Sequence, residues 1–118
     1  MLIVLPGDTP LLTAATIGRL VEQHRATDVA ATVLTAVLDD PSGYGRVVRG
    51  RNDRVVRIVE HGDATPEQLE INEINTSIYC FKRSLLAPAL RRLNPDNAQG
   101  EYYLTDVVAV LAEAGHSV

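Results

Sequence analysis

Apolar residues fall at two spacings along the 118 residues, which sorts most of the chain into strands and helices. Leu2, Ile3, Val4 and Leu5 form an unbroken apolar run, as in a strand covered on both faces within an α/β sheet. Pro6 and Gly7 end the run, and Asp8 falls at its carboxyl end, where open α/β sheets place their ligands. Thr13 is placed to cap a helix reaching about residue 26. Ile17, Leu20, Val21 and His24 follow the i, i+3, i+4, i+7 spacing of one face of it. His24, on the edge of that face, reads as a packed or half-exposed residue rather than a ligand. A largely apolar run over 29–38 predicts a second strand. Strand, helix and strand with short links predict a βαβ unit with parallel pairing.

Residues 39–46 read as a loop rich in turn formers. Short β-rich runs over 47–49 and 55–60 flank Gly50-Arg51-Asn52-Asp53 and predict a hairpin. Thr65 and Pro66 open one short helical turn over 64–70. Residues 73–81 predict another strand, carrying Asn75, whose amide must find partners inside a sheet. Ser84 is placed to cap a helix with Leu85, Leu86, Ala89, Leu90 and Leu93 inward, and Pro88 lies close enough to its first turn to be tolerated. After a polar loop over 94–100, a last helix spans about 102–114. Leu104, Val107, Val108 and Leu111 share one of its faces, and Gly115 is its stop signal. Residues 116–118 resemble the opening of one more strand. The expected fold is α/β with a mixed sheet, parallel around the opening strand and antiparallel at the hairpin.

Composition narrows the class without changing this picture. The length suits one domain with a real core, and 46% hydrophobic against 22% charged residues is ordinary for a soluble protein. A net charge of -4 argues against a nucleic-acid binder, which would show a basic face. Arg46, Arg49, Arg51, Arg54 and Arg57 cluster about the hairpin, as a solvated face or as anion steering. The single cysteine, Cys80, lies in an apolar strand and reads as a buried free thiol. No run approaches a membrane span, and the opening residues carry no signal-peptide pattern, so a cytoplasmic location without membrane partners is expected.

Three places invite chemistry: the turn after the first strand, the glycine loop and the end of the hairpin. Gly7 lets a ligand approach the backbone, and Asp8 can offer a hard oxygen to a divalent cation or simply close a turn. Gly43 and Gly45 flank Tyr44 in a loop that either lines a ligand or merely turns. Glu60, at a strand end, can receive hydroxyl donors or stand as a rim charge.

Five stretches together go further. They are Gly7-Asp8-Thr9-Pro10-Leu11, Leu38-Asp39-Asp40-Pro41-Ser42-Gly43-Tyr44-Gly45-Arg46, Ile58-Val59-Glu60-His61, Glu73-Ile74-Asn75-Thr76 and Asn97-Ala98-Gln99-Gly100-Glu101-Tyr102-Tyr103-Leu104-Thr105-Asp106. In this order and spacing the chain resembles the uridylyltransferase (pyrophosphorylase) domain of the bacterial bifunctional enzymes that make UDP-N-acetylglucosamine. The resemblance covers essentially all of residues 1–118 and implies a Rossmann-like nucleotidyltransferase domain, of which this chain is the sugar-binding portion. It implies Mg²⁺ bound by Asp8, with Gly7 beside the nucleotide sugar. Gly45 then contacts the N-acetylglucosamine moiety through its backbone, Glu60 takes sugar hydroxyls and Asn75 holds the sugar. Tyr103 and Thr105 are implied near the acetamido and phosphate groups. The implied reaction is attack of N-acetylglucosamine 1-phosphate on the α-phosphorus of UTP, giving UDP-N-acetylglucosamine, a cell-wall (peptidoglycan) precursor, and releasing pyrophosphate. Such a transfer asks mainly for alignment and charge neutralisation.

The departures shape the expectations. Pro6 stands where the family more often has an aromatic or small polar residue, and Ser77 replaces its usual glycine. The family's earlier strands with their Gly-rich phosphate loop, a downstream Asn completing the metal site, and the β-helix acetyltransferase domain have no counterpart in these residues. The chain alone is therefore expected to be inactive, and self-association through the exposed first strand is expected from its bare edge. Two other readings remain: a non-catalytic module binding a sugar phosphate or nucleotide sugar, and another sugar-1-phosphate nucleotidyltransferase.

Overall fold

The computed structural model describes residues 1–5, 13–93 and 104–118. In chain order the elements are β1 (Leu2–Val4), α1 (Ala14–Ala26), β2 (Ala31–Val37), β3 (Arg46–Arg49), β4 (Val55–Val59), α2 (Pro66–Leu69), β5 (Glu73–Phe81), α3 (Arg83–Leu90) and α4 (Asp106–Glu113). The expected turn at residues 6–12, the loop over 94–100 and the start of the last helix at 102–103 lie outside the described residues.

β5 is the centre of the sheet. Along one edge it pairs with the whole of β2, from Ala31 opposite Phe81 to Val37 opposite Glu73. It also pairs with β1 through Phe81, Cys80 and Tyr79, and with β3 at Ile74, while β3 pairs onward with β4. All described pairings are antiparallel. The α/β class holds, but the expected parallel pairing of β1 with β2 is corrected. Both strands run the same way, and β5 lies between them. A strand–helix–strand pattern fixes direction, while adjacency goes to the strand whose apolar run needs cover on both faces.

Ile78-Tyr79-Cys80-Phe81 has that character, since all four residues are buried. On one face Tyr79 and Phe81 join Val47, Ile58, Leu86, Val107, Val108 and Leu111 in the main core under α3 and α4. On the other face Ile78 and Cys80 pack with Leu20 of α1. Cys80 is a free thiol whose pKa burial pushes up, as its apolar strand suggests. His24 is buried too, with Nδ1 2.9 Å from the Thr32 hydroxyl, and burial lowers its pKa.

Helix ends follow their capping residues. The Thr13 hydroxyl accepts the Thr16 N–H, and Thr65 with Gln68 forms a reciprocal capping box. Gly115, at φ +88°, closes α4 while the His116 N–H donates to the Leu111 carbonyl, a Schellman ending. α3 differs from expectation. The Lys82 carbonyl accepts the Leu85 and Leu86 N–H groups, so Lys82 and not Ser84 begins the helix, with no side-chain cap. Pro88 thereby falls inside the helix. Its missing N–H deprives the carbonyl of Ser84, an exposed residue, so solvent can serve that group. At the chain's end the Ser117 and Val118 carbonyls accept the Ala30 and Val55 N–H groups, tying this segment to the starts of β2 and β4. No described helix is long and apolar enough to cross a membrane.

Two features of β5 generate predictions. Its ladder with β2 jumps from Leu34–Ile78 to Thr35–Asn75, leaving Thr76 and Ser77 in a bulge where Ser77 has φ +66°. Replacing Ser77 with glycine should relieve the left-handed backbone and raise stability by about 0.5–1 kcal/mol, read in urea unfolding. Glu73, at the start of β5, accepts Arg49 Nε at 2.8 Å, Arg49 Nη2 at 2.7 Å and the Thr35 hydroxyl at 2.7 Å. The Arg49 hydrogen bonds hold its carboxyl below the ordinary value of 4.5, against the opposing effect of burial. The stability gained is therefore complete above that value and is lost as pH falls through the lower folded one. Glu73→Gln should cost about 1 kcal/mol at neutral pH. Unfolding measured across pH should show that difference shrinking below about pH 4.

Candidate functional site

The β3–β4 hairpin sets two of the proposed residues opposite each other. Arg46 pairs with Val59, so Gly45 and Glu60 stand at the adjoining ends of their strands. A Cβ on Gly45 would lie 3.2 Å from Ile58 Cγ2 and 3.5 Å from Glu60 Oε2, so the bare backbone lets the carboxylate come close. The Gly45 carbonyl accepts the Asn75 N–H at 2.9 Å, which brings β5 to the same place. From the start of α4 the Thr105 hydroxyl donates to Glu60 Oε1 at 3.0 Å. Thr105 has the cap position of that helix, yet its side chain caps nothing and serves the carboxylate.

Gly45, Glu60, Asn75 and Thr105 thus converge from three separate parts of the chain. Glu60 is half-buried, while Gly45, Asn75 and Thr105 are buried. Gly7, Asp8 and Tyr103 lie outside the described residues. Among the described residues no group of three or more His, Cys, Asp or Glu side chains is placed to hold a metal. The assembled groups suit a polyol: a carboxylate to accept hydroxyls and an amide that both donates and accepts.

Two residues to which sequence reasoning gave no place in this site help to build it. Arg46 belonged to the arginine cluster read as solvated or anion-steering, yet it is only 2% exposed. Its Nη1 donates to the Pro41 carbonyl at 2.9 Å and the Tyr44 carbonyl at 2.6 Å, and Nη2 donates to the Leu69 carbonyl at 3.3 Å. His61 Nδ1 lies 3.2 Å from Arg46 Nη1 and accepts the Gly43 N–H at 3.2 Å. The Gly43 N–H can only donate, so Nδ1 is the acceptor in this arrangement. The guanidinium therefore clamps the loop leading into Gly45 against α2 and His61. Its Nε is buried without a partner among the described residues. Arg49 pairs with Glu73, and Arg51, Arg54 and Arg57 are exposed.

Tyr79 is the second. Its hydroxyl accepts Asn75 Nδ2 at 2.8 Å. Burial drives its pKa up to about 12, with the Glu60 charge adding to the rise and the Asn75 hydrogen bond opposing it, so the phenol stays protonated at neutral pH. Asp106, next to Thr105, also titrates high, chiefly from burial and secondly from the charge of Asp63.

The Arg46 clamp is testable directly. Arg46→Met should destabilise the chain by roughly 2–4 kcal/mol, since the Pro41, Tyr44 and Leu69 carbonyls all lose the guanidinium. Arg46→Lys should recover little of this, because one ammonium cannot span acceptors on both sides of the loop. Denaturant unfolding of both variants gives the answer.

Comparison with known proteins adds sequence and structural likeness. The chain matches the family described as nucleotidyl transferase over residues 1–118. It is 52% identical over 116 residues to the bifunctional protein GlmU of Shouchella clausii, covering 98% of this chain and 26% of that protein. It is 50% identical over 115 residues to the GlmU protein of Clostridium botulinum, covering 98% and 25%. The chain thus spans about a quarter of the length of the curated relatives it matches. Its fold resembles the crystal structure, in complex with sucrose, of a protein assigned as a glucose-1-phosphate thymidylyltransferase from Bacillus anthracis. The TM-score is 0.60 at 25% identity, covering 84% of this chain and 37% of that one.

Proposed function

The chain belongs to the nucleotidyl transferase family, and from that membership we propose that it carries the sugar-recognising part of a uridylyl transfer. The substrates are UTP and N-acetylglucosamine 1-phosphate. A phosphate oxygen of the sugar phosphate attacks the α-phosphorus of UTP, the bond to the β-phosphate breaks, and pyrophosphate leaves with UDP-N-acetylglucosamine as product. The observation that carries this reading is the meeting of Gly45, Glu60, Asn75 and Thr105, in a chain half identical to GlmU proteins.

Each residue then has a share. Glu60 accepts sugar hydroxyls, oriented by the Thr105 hydroxyl on Oε1. Asn75 holds the sugar through its amide, and Gly45, lacking a Cβ, leaves the Glu60 carboxylate room beside the backbone. None of these groups need move a proton or form a bond to phosphorus, because phosphoryl transfer relies on alignment and charge neutralisation. Mg²⁺ bound at Asp8 would neutralise phosphate charge. A single carboxylate with substrate phosphates completing the shell suits that ion, and Asp8 is the residue of this chain assigned to it.

A second reading has one observation in its favour. The likeness to a protein assigned as a glucose-1-phosphate thymidylyltransferase allows a different sugar and base. Calorimetric titration with UDP-N-acetylglucosamine and with dTDP-glucose, each with and without Mg²⁺, separates the two. We expect UDP-N-acetylglucosamine to bind, Asp8→Ala to abolish the Mg²⁺ dependence, and Glu60→Ala to weaken binding roughly 10- to 100-fold. Preference for dTDP-glucose would establish the second reading. No heat from either ligand at millimolar concentration, with the chain folded, would overturn both for these residues.

A further inference from the structure

Asn75 and Tyr79 are four residues apart on one strand, which in a regular strand separates them by about 13 Å. The bulge removes half of that distance. On β2 their partners are Thr35 and Val33, two positions apart and therefore on the same face. With Thr76 and Ser77 looped out of the ladder, the Tyr79 hydroxyl reaches Asn75 Nδ2 at 2.8 Å. The other end of the same amide is held as well, since Asn75 Oδ1 accepts the Ser77 N–H at 3.0 Å. The Thr76 hydroxyl donates to the Leu34 carbonyl at 2.7 Å and fastens the bulge to β2. The Tyr79 ring is fixed in its turn, being 2% exposed and stacked on Phe81 at 5.4 Å.

We propose that Tyr79 is a positioning residue for the sugar subsite, fixing the plane of the Asn75 amide through its hydroxyl. The inference rests on the sugar-recognition reading above. An Asn side chain anchored at one N–H and one oxygen lone pair keeps a second N–H and a second lone pair in set directions. A ligand meeting those groups loses no freedom of the amide on binding, which is the advantage of a preorganised polar wall. Without the hydroxyl the amide is held at one end only.

The experiment is a double-mutant cycle. UDP-N-acetylglucosamine is titrated calorimetrically into the wild-type chain, Tyr79→Phe, Asn75→Ala and the double variant, with a thermal midpoint for each. Phenylalanine keeps the stacked ring and removes only the hydroxyl. Tyr79→Phe should weaken binding ~5- to 10-fold, a tenfold loss matching about one hydrogen bond, and should add nothing once Asn75 is alanine. Wild-type affinity in Tyr79→Phe, or an equal loss in both backgrounds, would overturn the proposal and leave the hydroxyl a purely structural group. Absence of binding by the folded wild-type chain would overturn the sugar-site reading and this inference with it. A ligand-free readout keeps the two apart: NMR exchange of the Asn75 side-chain amide protons should be slow in the wild type and faster in Tyr79→Phe. Equal exchange rates would overturn the positioning role whatever the ligand does.

Discussion

The backbone of β5 must find hydrogen-bond partners along both of its edges while its side chains are buried on both faces, and the rest of the structure answers that demand. β2 satisfies one edge along its length, while β1 and β3 meet β5 at opposite ends. α1 covers the Ile78–Cys80 face, and α3 and α4 cover the Tyr79–Phe81 face. A buried strand with an unpaired edge would leave orphan N–H and C=O groups, a cost comparable to a lost hydrogen bond for each. The one interruption of its ladder, at Thr76 and Ser77, is where Asn75 enters the site. Where regular pairing breaks, a side chain is freed to take a direction that an even ladder would not give it.

A similar satisfaction problem shapes the loop before β3. Residues 41–45 turn so that the Pro41 and Tyr44 carbonyls both face the buried Arg46 side chain. One guanidinium answers both, reaching the Leu69 carbonyl as well. A buried cation with no carboxylate partner among the described residues is costly, but carbonyl dipoles and an imidazole lone pair disperse its charge over several short contacts. Gly45 is placed by this inner network, and the Glu60 carboxylate by Thr105 across the gap. The candidate site therefore stands on hydrogen bonds made behind it and not on its own contacts alone.

How much of this was legible in the sequence depends on the range of the interaction involved. Capping by Thr13 and Thr65, the Gly115 stop and the hairpin between Arg49 and Val55 are local signals, and they appear where the residue pattern put them. The insertion of β5 between β1 and β2 is a nonlocal outcome that short-range periodicity cannot carry. Burial of Arg46 was equally hidden, because an arginine among four others reads as surface until the carbonyls around it are known. Tyr79 left a fainter trace. Ser77, standing where the family resemblance implies a glycine, hints at left-handed backbone, and left-handed backbone inside a strand means a bulge. A bulge of two residues would in turn have put Asn75 within reach of Tyr79.

Charge decides which way a nucleotide sugar would lie. Glu60, Asp63 and Asp106 gather on the side of the site where α4 begins, and Asp106 titrates high partly because Asp63 is near. A phosphate placed there would face like charge in a partly buried setting, where Coulomb repulsion is screened less than in water. Hydroxyl donors meet the opposite situation, since every carboxylate oxygen is an acceptor. Under the proposed function, the sugar then lies at Glu60 and Asn75, and the phosphates away from them, toward a cation. On the proposed reading a cation neutralises those phosphates, since among the described residues Arg46 is spent on carbonyls and Arg49 on Glu73.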